Sequence, residues 1–532
     1  MMIKKLHPIF LLLGLIVCNN SFAQLYINNA TFVIQSGATV TVQGDLTSNT
    51  DIQGTGKLLL KGAASQNVNM GGFSLPTLEL DNAANAILTG NAKISTGILF
   101  TTGKITLGTN NLTLADIATV SGQGTGKFLE TNSTGQVLKS LTADITNNEI
   151  PVGLGTNYRP AFITSAGTYI NATVGVRVVG VADPNKPPMI SDYLLTHWPV
   201  TKTGVTGTVS VAGQYLDAAD ISGTETNLRG YYFDGTDWSS ANEVHDITLN
   251  KVATPVSSSA GEVYGMDKFT LVKTKVFLQG AYNTSTGVMS DALRTPTNLI
   301  PLTDPYRNVP YNFTEVANPV AETAAASVFS DQSNPNDNIV DWIFLELRSS
   351  VASPGNTVLQ TRSALLKRDG NVVEVDGVSP VTFNNVFNGN YSVAVRHRNH
   401  LGISADPATN LLALNEKRST ASLLDLTTAA DAQIFGTAAA YKVIGGKNLM
   451  WAGNANFNGN IKFLGLGNDK DYILVNTMNS VYNVTIKNVY SPADLNFNRN
   501  VSYIGLGNDK DVILVDALSN VSTAQRLQAL PN

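Results

Sequence analysis

Two loops near the end of the chain carry side-chain oxygens at a spacing that could wrap a metal ion. Asparagine and aspartate recur at positions 1, 3 and 5 of each loop. Calcium loops take ligands from those positions and place a glycine at position 6 for a sharp turn. An apolar anchor follows in both copies, Ile461 and Val501. The pattern predicts two calcium loops, whose first ligands are Asn454, Asn456 and Asn458 in one copy and Asp494, Asn496 and Asn498 in the other.

The two loops belong to a tandem repeat. The string "GLGNDKD" occurs at Gly465–Asp471 and again, unchanged, at Gly505–Asp511. A standard calcium loop has a bidentate acid at position 12, but both copies have a glycine there. Asn468 and Asn508 are predicted to cap the short helix that follows. The nearest carboxylates come slightly later, so the remaining candidate ligands are Asp469, Asp471, Asp509 and Asp511.

The two loops differ in charge. Asp494 gives the second loop a carboxylate that Asn454 denies the first, while Arg499 stands where the first copy has Gly459. Since calcium affinity depends on ligand charge and rigidity, binding is expected to be weak, with the second loop the tighter site. The alternative needs no metal, because asparagine side chains form turns of their own and tolerate left-handed backbone. Both interpretations stay open.

Short alternating segments fill the N-terminal part, 24–145. Segments such as "ATVTVQGDL", "KLLLKG" and "KITLGTNNLTLA" are separated by Gly, Asn and Asp, and "QGTGK" occurs at Gln53–Lys57 and at Gln123–Lys127. Short rungs with such corners bury their apolar face only by stacking on their neighbours. The pattern predicts a parallel β-solenoid, with a sandwich of unusually short strands as the alternative.

The rest of the chain is also predicted to be mainly β. Longer alternating strands separated by turn signals predict an antiparallel β-sandwich at 146–272 and a second sandwich-like domain at 273–415. A helical or irregular connector is expected at 416–445. The tandem repeat then forms a small module of loops and short helices at 446–522, in which the two copies share one core.

The N-terminus has the pattern of a signal peptide, 1–23. Lys4 and Lys5 precede an apolar run, and "SFA" before Gln24 fits a cleavage site. The run is too short to cross a bilayer and no later segment is long enough, so no transmembrane helix is expected. The single cysteine, Cys18, lies in this leader, which excludes disulfides and thiol catalysis in the mature chain.

Net charge and amino-acid composition limit the classes of molecule that the chain is expected to bind. The chain has 35 basic and 40 acidic residues, so loss of Lys4 and Lys5 leaves 33 basic residues and a net charge of −7. No basic stripe or polybasic patch occurs, which argues against nucleic acid and anionic lipid as partners. Charged residues are only 14% of the chain, and abundant Gly, Thr, Asn and Ser between Val, Ile and Leu are typical of an extracellular β-protein.

Few residues suit catalysis. His397 and His400 in "RHRNH" could form a cluster with Asp369 and the neighbouring arginines, but strand-end polar packing is the favoured interpretation. No nucleophile elbow, zinc-protease motif or phosphate-binding loop occurs. The aromatic residues Tyr231–Phe233 and Trp238 could stack on sugar rings, or pack within a hairpin. The chain is therefore expected not to be an enzyme.

The tandem repeat resembles the dockerin-like modules that close many secreted haemagglutinin-like and adhesin-like proteins of the Bacteroidota. Upstream segments such as "VDWIFLELR", "RSALLKRDGNVVEVDG" and "VAVRHRNHLGI" resemble the β-domain that precedes the module, so the likeness covers Lys275–Val515. The family pattern in each loop is Asp-x-Asn-x-Asp-Gly. Here amides replace loop acids, and Arg499 replaces the second turn glycine.

The resemblance and the leader together imply a secreted, non-enzymatic adhesion or recognition protein, haemagglutinin-like, that binds a glycan or a surface protein. The alternative is a polysaccharide-processing accessory protein or enzyme, tethered through its dockerin-like module. The expected location is the cell surface or the exterior. No sorting domain is recognisable after "RLQALPN", so either another export route or retention in the periplasm is expected. The sequence leaves the oligomeric state open.

Overall fold

The computed structural model describes residues 24–240, 244–311, 313–318, 320–351 and 356–531. The predicted signal peptide, with its cysteine, lies outside these residues. The described chain is mainly β, as predicted. Within the described ranges, buried apolar side chains gather in three clusters, one for the N-terminal half, one for the second β-domain and one for the terminal module.

The N-terminal part is a parallel β-solenoid of about six turns, which confirms the prediction. Leu46 lies opposite Leu25 on one side and Val68 on the other, each in parallel register. Because the paired positions repeat from turn to turn, apolar side chains stack in a buried interior. The strands of this part are β1 Leu25–Ile27, β2 Phe32–Ile34, β3 Thr39–Val42, β4 Leu46–Ser48, β5 Ile52–Gly54, β6 Lys57–Leu60, β7 Gln66–Asn69, β8 Ser74–Asp81, β9 Ala86–Leu88, β10 Ala92–Thr102, β11 Ile105–Thr106, β12 Leu112–Leu114, β13 Thr119–Ser121, β14 Leu129–Glu130, β15 Val137–Leu141, β16 Ile145–Ile150, β17 Val152–Leu154 and β18 Asn157–Tyr158.

Glycines at some corners let successive turns approach closely. Gly54, in the first "QGTGK" string, has a φ of +96°, and a Cβ built there would lie 2.1 Å from the carbonyl oxygen of Ile34 on the preceding turn. Gly37 has a φ of +76° but no atom within 4 Å of the same position. Both glycines therefore supply left-handed backbone, and only Gly54 also supplies room for a neighbouring turn.

This difference predicts unequal costs for two alanine substitutions. Gly37→Ala should destabilise the solenoid by about 1–2 kcal/mol, since it forces a side chain into left-handed backbone. Gly54→Ala should cost about 1–3 kcal/mol more, because the added methyl group must also push two turns apart. Urea denaturation followed by circular dichroism measures both. Equal costs would contradict the proposed contact between turns.

Parallel pairing gives way to antiparallel pairing without a break in the sheet. Strand β15 pairs in parallel with β12 and antiparallel with Ala161–Val176. The predicted boundary at 145/146 thus falls inside one continuous sheet system, whose apolar core extends to Leu271. Antiparallel strands lie where they were expected, and a separate β-sandwich stays a prediction. The strands here are β19 Ala161–Val176, β20 Tyr193–Leu194, β21 Trp198–Gln214, β22 Ile221–Ser222, β23 Leu228–Phe233, β24 Trp238–Ser239, β25 Val244–Asp246, β26 Lys251–Pro255 and β27 Ala260–Asp267, with a 3-10 turn at Glu225–Asn227.

A second sheet is built around Ile339–Arg348, a strand that is buried at every position. It pairs antiparallel with Val358–Lys367 and with Gly389–Arg396. Part of the predicted connector joins this sheet, because Leu423–Asp425 pairs in parallel with Phe269–Lys275. The strands are β28 Phe269–Lys275, β29 Tyr282–Asn283, β30 Val288–Met289, β31 Ile339–Arg348, β32 Val358–Lys367, β33 Asn371–Val373, β34 Val381–Asn384, β35 Gly389–Arg396, β36 Ile403–Ser404, β37 Leu412–Leu414 and β38 Leu423–Asp425, with 3-10 turns at Ala326–Phe329, Pro335–Asp337, Asp431–Gln433 and Thr437–Ala439.

The two copies of the tandem repeat complete each other's strand pairs. The loop strand of the first copy, Asn460–Lys462, pairs with Gln525–Leu527, which follows the second copy. The loop strand of the second copy, Asn500–Ser502, pairs with Thr485–Lys487, which follows the first. Apolar side chains of both copies lie in one buried cluster. The elements are β39 Lys442–Ile444, β40 Lys447–Leu449, β41 Asn460–Lys462, α1 Asp469–Asp471, β42 Thr485–Lys487, β43 Asn500–Ser502, α2 Asp509–Asp511 and β44 Gln525–Leu527, with π-helical turns at Tyr472–Thr477 and Val512–Ala517.

Candidate functional site

Two buried carboxylates face backbone amides in the second loop. Asp494 accepts hydrogen bonds from the backbone N–H groups of Asn498 (3.1 Å) and Arg499 (3.0 Å). Asp509 likewise accepts from two backbone N–H groups. Burial raises the pKa of Asp494 to about 6 and that of Asp509 to about 8, and the charge of Asp494 adds to the second rise. A positive charge placed between these acids would therefore stabilise their ionised forms.

The first loop has one such carboxylate. Asp469 accepts from the backbone N–H groups of Asn456 (3.3 Å) and Lys462 (2.8 Å), and burial raises its pKa to about 7. Asn454 stands where the second loop has Asp494. It is 3% exposed, and its Oδ1 accepts no hydrogen bond from any described residue. The first loop thus keeps a free buried oxygen but lacks the second charge.

The remaining loop asparagines form turns. Asn456 Oδ1 accepts from the backbone N–H of Asn458 (3.3 Å), and its Nδ2 donates to the carbonyl of Gly467 (2.9 Å). Asn496 makes the same two bonds in the second copy. Asn458 and Asn498 each accept from the N–H two residues later. These bonds would hold either loop in shape without a metal.

The later acids divide into two pairs with different surroundings. Asp469 and Asp509 lie inside the loops, whereas the side chains of Asp471 and Asp511 are 53% and 45% exposed. Asp471 accepts from Asn468 Nδ2 (2.7 Å), and its own N–H donates to Asn468 Oδ1 (2.8 Å). The predicted helix cap is thereby confirmed in both copies. The structure does not bring Asp471 and Asp511 into the loops.

The second loop carries oxygen atoms of the kind that calcium binds. Calcium prefers oxygen ligands, and the loop offers two carboxylates together with the side-chain oxygens of Asn496 and Asn498. Arg499 has a φ of +72°, close to the +76° of Gly459 at the equivalent position. Its Nη2 donates to the carbonyl of Thr297 (3.2 Å). Calcium in either loop stays a prediction, with Asp494 and Asp509 as its charged ligands.

The "RHRNH" segment forms a buried network rather than an open cluster. Arg398 Nε lies 2.7 Å and His397 Nε2 lies 3.1 Å from Asp341 Oδ2. Asn399 Nδ2 donates to backbone carbonyls of the terminal module. None of these four side chains is more than 1% exposed, while Asp369 lies apart and accepts from a nearby backbone N–H. The network joins the second sheet to the terminal module, in keeping with the structural interpretation.

The aromatic residues of the antiparallel sheet do not form a sugar platform. Tyr231, Tyr232, Phe233 and Trp238 are exposed by only 3%, 0%, 9% and 2%. The rings of Phe233 and Trp238 pack with centroids 4.9 Å apart. Adjacent strands β23 and β24 bring them together inside the core, so the stacking role suggested for them is wrong.

A cleft of about 540 Å³ opens between the antiparallel sheet and the second β-domain. Phe387 is 52% exposed at this cleft, and Lys268 Nζ lies 4.1 Å from the centroid of its ring. Gln360 Oε1 and Asn384 Oδ1 are buried and accept no hydrogen bond from any described residue. The polar and aromatic residues that line the cleft include Asp192, Asp267, Gln360, Asn384, Phe387 and Tyr391.

Sequence reasoning missed this cleft because its residues come from segments far apart in the chain. The local signal was the stretch "NNVFNGNY" from Asn384 to Tyr391, which combines amides and two aromatic rings after a buried strand. Exposed polar and aromatic residues in a loop are typical of binding sites. Only the fold shows that this loop faces Asp192 and Asp267.

The comparisons with known proteins add no family to these observations. No protein-family model matches the chain, and neither does any curated protein or solved structure. Among the described residues no helix is both long and apolar enough to cross a membrane.

Proposed function

We propose that the chain is a secreted, non-enzymatic recognition protein that binds a saccharide in the cleft between its two large β-regions. The observation that carries the proposal is the lining of this cleft. The exposed ring of Phe387 and the partly buried ring of Tyr391 stand beside two unpaired amide oxygens and two carboxyl groups. Sugars present both apolar ring faces and many hydroxyl donors, and this lining complements both.

The hydrogen-bonding capacity of the cleft supports a hydroxyl-rich ligand. Gln360 Nε2 already donates to the carbonyl of Ala317 (2.9 Å), which fixes the amide and leaves its Oε1 as a free acceptor. Asn384 also uses its Nδ2 on the protein, on the carbonyl of Met189, so its Oδ1 is free in the same way. Buried acceptors without donors are costly, and ligand hydroxyl groups would satisfy both.

A glycan array followed by titration calorimetry tests the proposal. Phe387→Ala and Tyr391→Ala should each weaken binding of the best array ligand about tenfold, because a lost ring contact is worth roughly 0.5–1.5 kcal/mol beyond its buried area. Tyr482→Ala is the matched control, since Tyr482 is 57% exposed but lies in the terminal module. Unchanged binding in both cleft variants would refute the site. If no glycan on the array binds but a component of a cell extract does, the ligand is a protein and not a saccharide.

The alternative of a polysaccharide-processing enzyme has one observation in its favour. Asp267 and Asp192 line the same cleft. Burial raises the pKa of Asp267 to about 6, and the charge of Asp192 adds to the rise. Glycoside hydrolysis uses two carboxyl groups in different surroundings, one of them with a raised pKa. Turnover of any polysaccharide that is lost in Asp267→Asn and in Asp192→Asn would favour the enzyme over the recognition protein.

Protease shaving of whole cells tests the proposed location. A recognition protein that meets glycans or proteins of another cell must lie outside the envelope, so the chain should be degraded before the cells lyse. Protection from protease in intact cells, with digestion after lysis, would place the chain inside the outer surface of the cell and refute a surface role.

A further inference from the structure

Three potential metal ligands converge in the antiparallel region, away from the cleft and the terminal loops. Asp183 lies in the loop after β19, His197 directly precedes β21, and Glu262 lies on β27. One ligand atom from each residue lies within 4.8 Å of the others. His197 Nε2 and Glu262 Oε2 are 3.9 Å apart. The fold therefore brings together three residues that are distant in sequence.

The orientation of the imidazole leaves a lone pair facing the carboxylates. His197 Nδ1 lies 2.9 Å from the carbonyl oxygen of Val181. A carbonyl can only accept, so Nδ1 carries the proton and Nε2 of the neutral ring is unprotonated. A hydrogen bond from the far nitrogen to a backbone carbonyl is the usual support for a metal-binding histidine.

The carboxylates supply two further unpaired acceptors. Asp183 is 2% exposed, and its Oδ2 accepts no hydrogen bond from any described residue. Glu262 Oε2 likewise accepts no hydrogen bond from any described residue. Burial and the neighbouring Asp183 raise the pKa of Glu262, while the charge of Arg177 opposes the rise. An imidazole nitrogen and two carboxyl groups thus face one another, and one oxygen of each carboxyl group has no hydrogen-bond partner among the described residues.

We propose that Asp183, His197 and Glu262 bind a divalent transition-metal ion of the zinc class. The imidazole nitrogen argues against calcium, which prefers oxygen ligands, and suits zinc, which takes histidine together with carboxylates. Ligand atoms of a tetrahedral zinc ion, each about 2.0–2.2 Å from the metal, lie roughly 3.3–3.6 Å apart. The observed separations of 3.9 Å and up to 4.8 Å need only a small contraction.

The exposure of the cluster defines the kind of site. Asp183 and His197 are buried, whereas 26% of the Glu262 side chain is exposed. An ion held here has three protein ligands and one coordination position towards solvent. It also ties the loop that starts after β19 to strand β27. Asn185 and Trp238 already anchor that loop at one point, through a hydrogen bond from the indole Nε1 to the Asn185 carbonyl (3.1 Å).

Zinc titration of the whole chain, after removal of metals by a chelator, tests the proposal. We expect one zinc ion per chain by calorimetry, and a cobalt-substituted form with visible absorption typical of a site of low coordination number. Asp183→Asn and Glu262→Gln should each lower zinc affinity at least 100-fold, since each removes a charged ligand. Asp183→Asn keeps an oxygen that can accept from the Asn185 N–H, as Asp183 Oδ1 does (2.7 Å).

Asp246→Asn is the matched control. Asp246 lies in the same region, and its Oδ1 holds a turn by accepting from the N–H groups of Thr248 and Leu249 (both 3.0 Å). Its replacement should leave zinc affinity unchanged. Circular dichroism checks the fold of each variant, and the more exposed Glu262→Gln decides the matter if Asp183→Asn does not fold. Absence of zinc binding, or wild-type affinity in Glu262→Gln, would overturn the proposal.

Discussion

Arg398→Ala is expected to lower the free energy of unfolding by about 3–5 kcal/mol, because it leaves Asp341 as a buried charge without its partner. Arg398 is 0% exposed, donates to Asp341 Oδ2 and to the carbonyl of Ser491, and stacks over the rings of Tyr490 and Phe497. The same substitution removes one of the hydrogen bonds that join the second sheet to the terminal module, the one to the carbonyl of Ser491. The module should therefore become susceptible to protease before the rest of the chain unfolds.

The pH dependence of this loss has a defined sign. Burial alone would raise the pKa of Asp341, but the charge of Arg398 and the hydrogen bond from His397 lower it to about 2. An acid with a lowered pKa contributes stability above its unfolded pKa of about 3.9 and loses it as the pH falls. The difference between wild type and Arg398→Ala should thus be full at pH 6 and shrink between pH 4 and pH 2.

Chemical denaturation of the whole chain measures both effects. Arg418→Ala is the control, because Arg418 is an exposed arginine of the connector at 416–445 and its loss should change stability little. Arg398→Met combined with Asp341→Asn should recover part of the stability, since the pair is then replaced by neutral groups. A loss below about 1 kcal/mol in Arg398→Ala would be typical of an exposed ion pair and would contradict the buried network.

Calcium is expected to raise the melting temperature of the wild-type chain modestly, and Asp494→Asn is expected to abolish the rise. Asp494 and Asp509 place two carboxylates in the second loop, whereas the first has Asp469 alone. At an effective dielectric of about 20, two unit charges about 4 Å apart interact by roughly 4 kcal/mol, and a divalent ion by more before desolvation is subtracted. Loss of one carboxylate should thus weaken binding far more than tenfold.

The two copies provide a reciprocal experiment. Asp494→Asn places an asparagine at position 1 of the second loop, as in the first loop. Asn454→Asp places an aspartate at position 1 of the first loop, as in the second. Because Asn454 Oδ1 is a buried oxygen without a donor, Asn454→Asp should create a second calcium site of similar affinity. Thermal melts of the whole chain with calcium and with chelator measure the effect. Identical melts for the wild type and for Asn454→Asp would mean that hydrogen bonds and packing alone hold the loops.

Local periodicity was sufficient to predict the solenoid. Alternation, corner glycines and the returning "QGTGK" string report on contacts between successive turns, which are close in sequence. The cap made by Asn468 was predictable for the same reason, since its partner Asp471 lies three residues away. The continuity of the sheet past the predicted domain boundary at 146 was not predictable in the same way, because β15 pairs in parallel with β12 and antiparallel with β19. No local sequence pattern shows that a sheet continues past such a point.

The burial of side chains and the contacts between distant segments limited how far the candidate sites could be predicted from the sequence. Trp238 is a residue type that often stacks on sugar rings, yet strand pairing places it in the core. Asp183, His197 and Glu262 lie in different elements and share no motif, so only the folded sheet brings them together. Asp469 was predicted to lie at the loop, and its carboxylate accepts from a loop N–H group there. Asp471, two residues later, turns to Asn468 instead, and no pattern in the sequence distinguishes the two acids.

The crossed strand pairing of the terminal module limits how such a repeat can be inherited. Each loop strand finds its partner only in the segment that follows the other copy. A gene that lost one copy would encode a lone loop strand with a row of unpaired backbone groups, which invites the same strand of a second chain. Two such chains could restore both pairs between them. The two copies therefore form one folding unit, and neither copy can be lost without leaving a strand of the other unpaired.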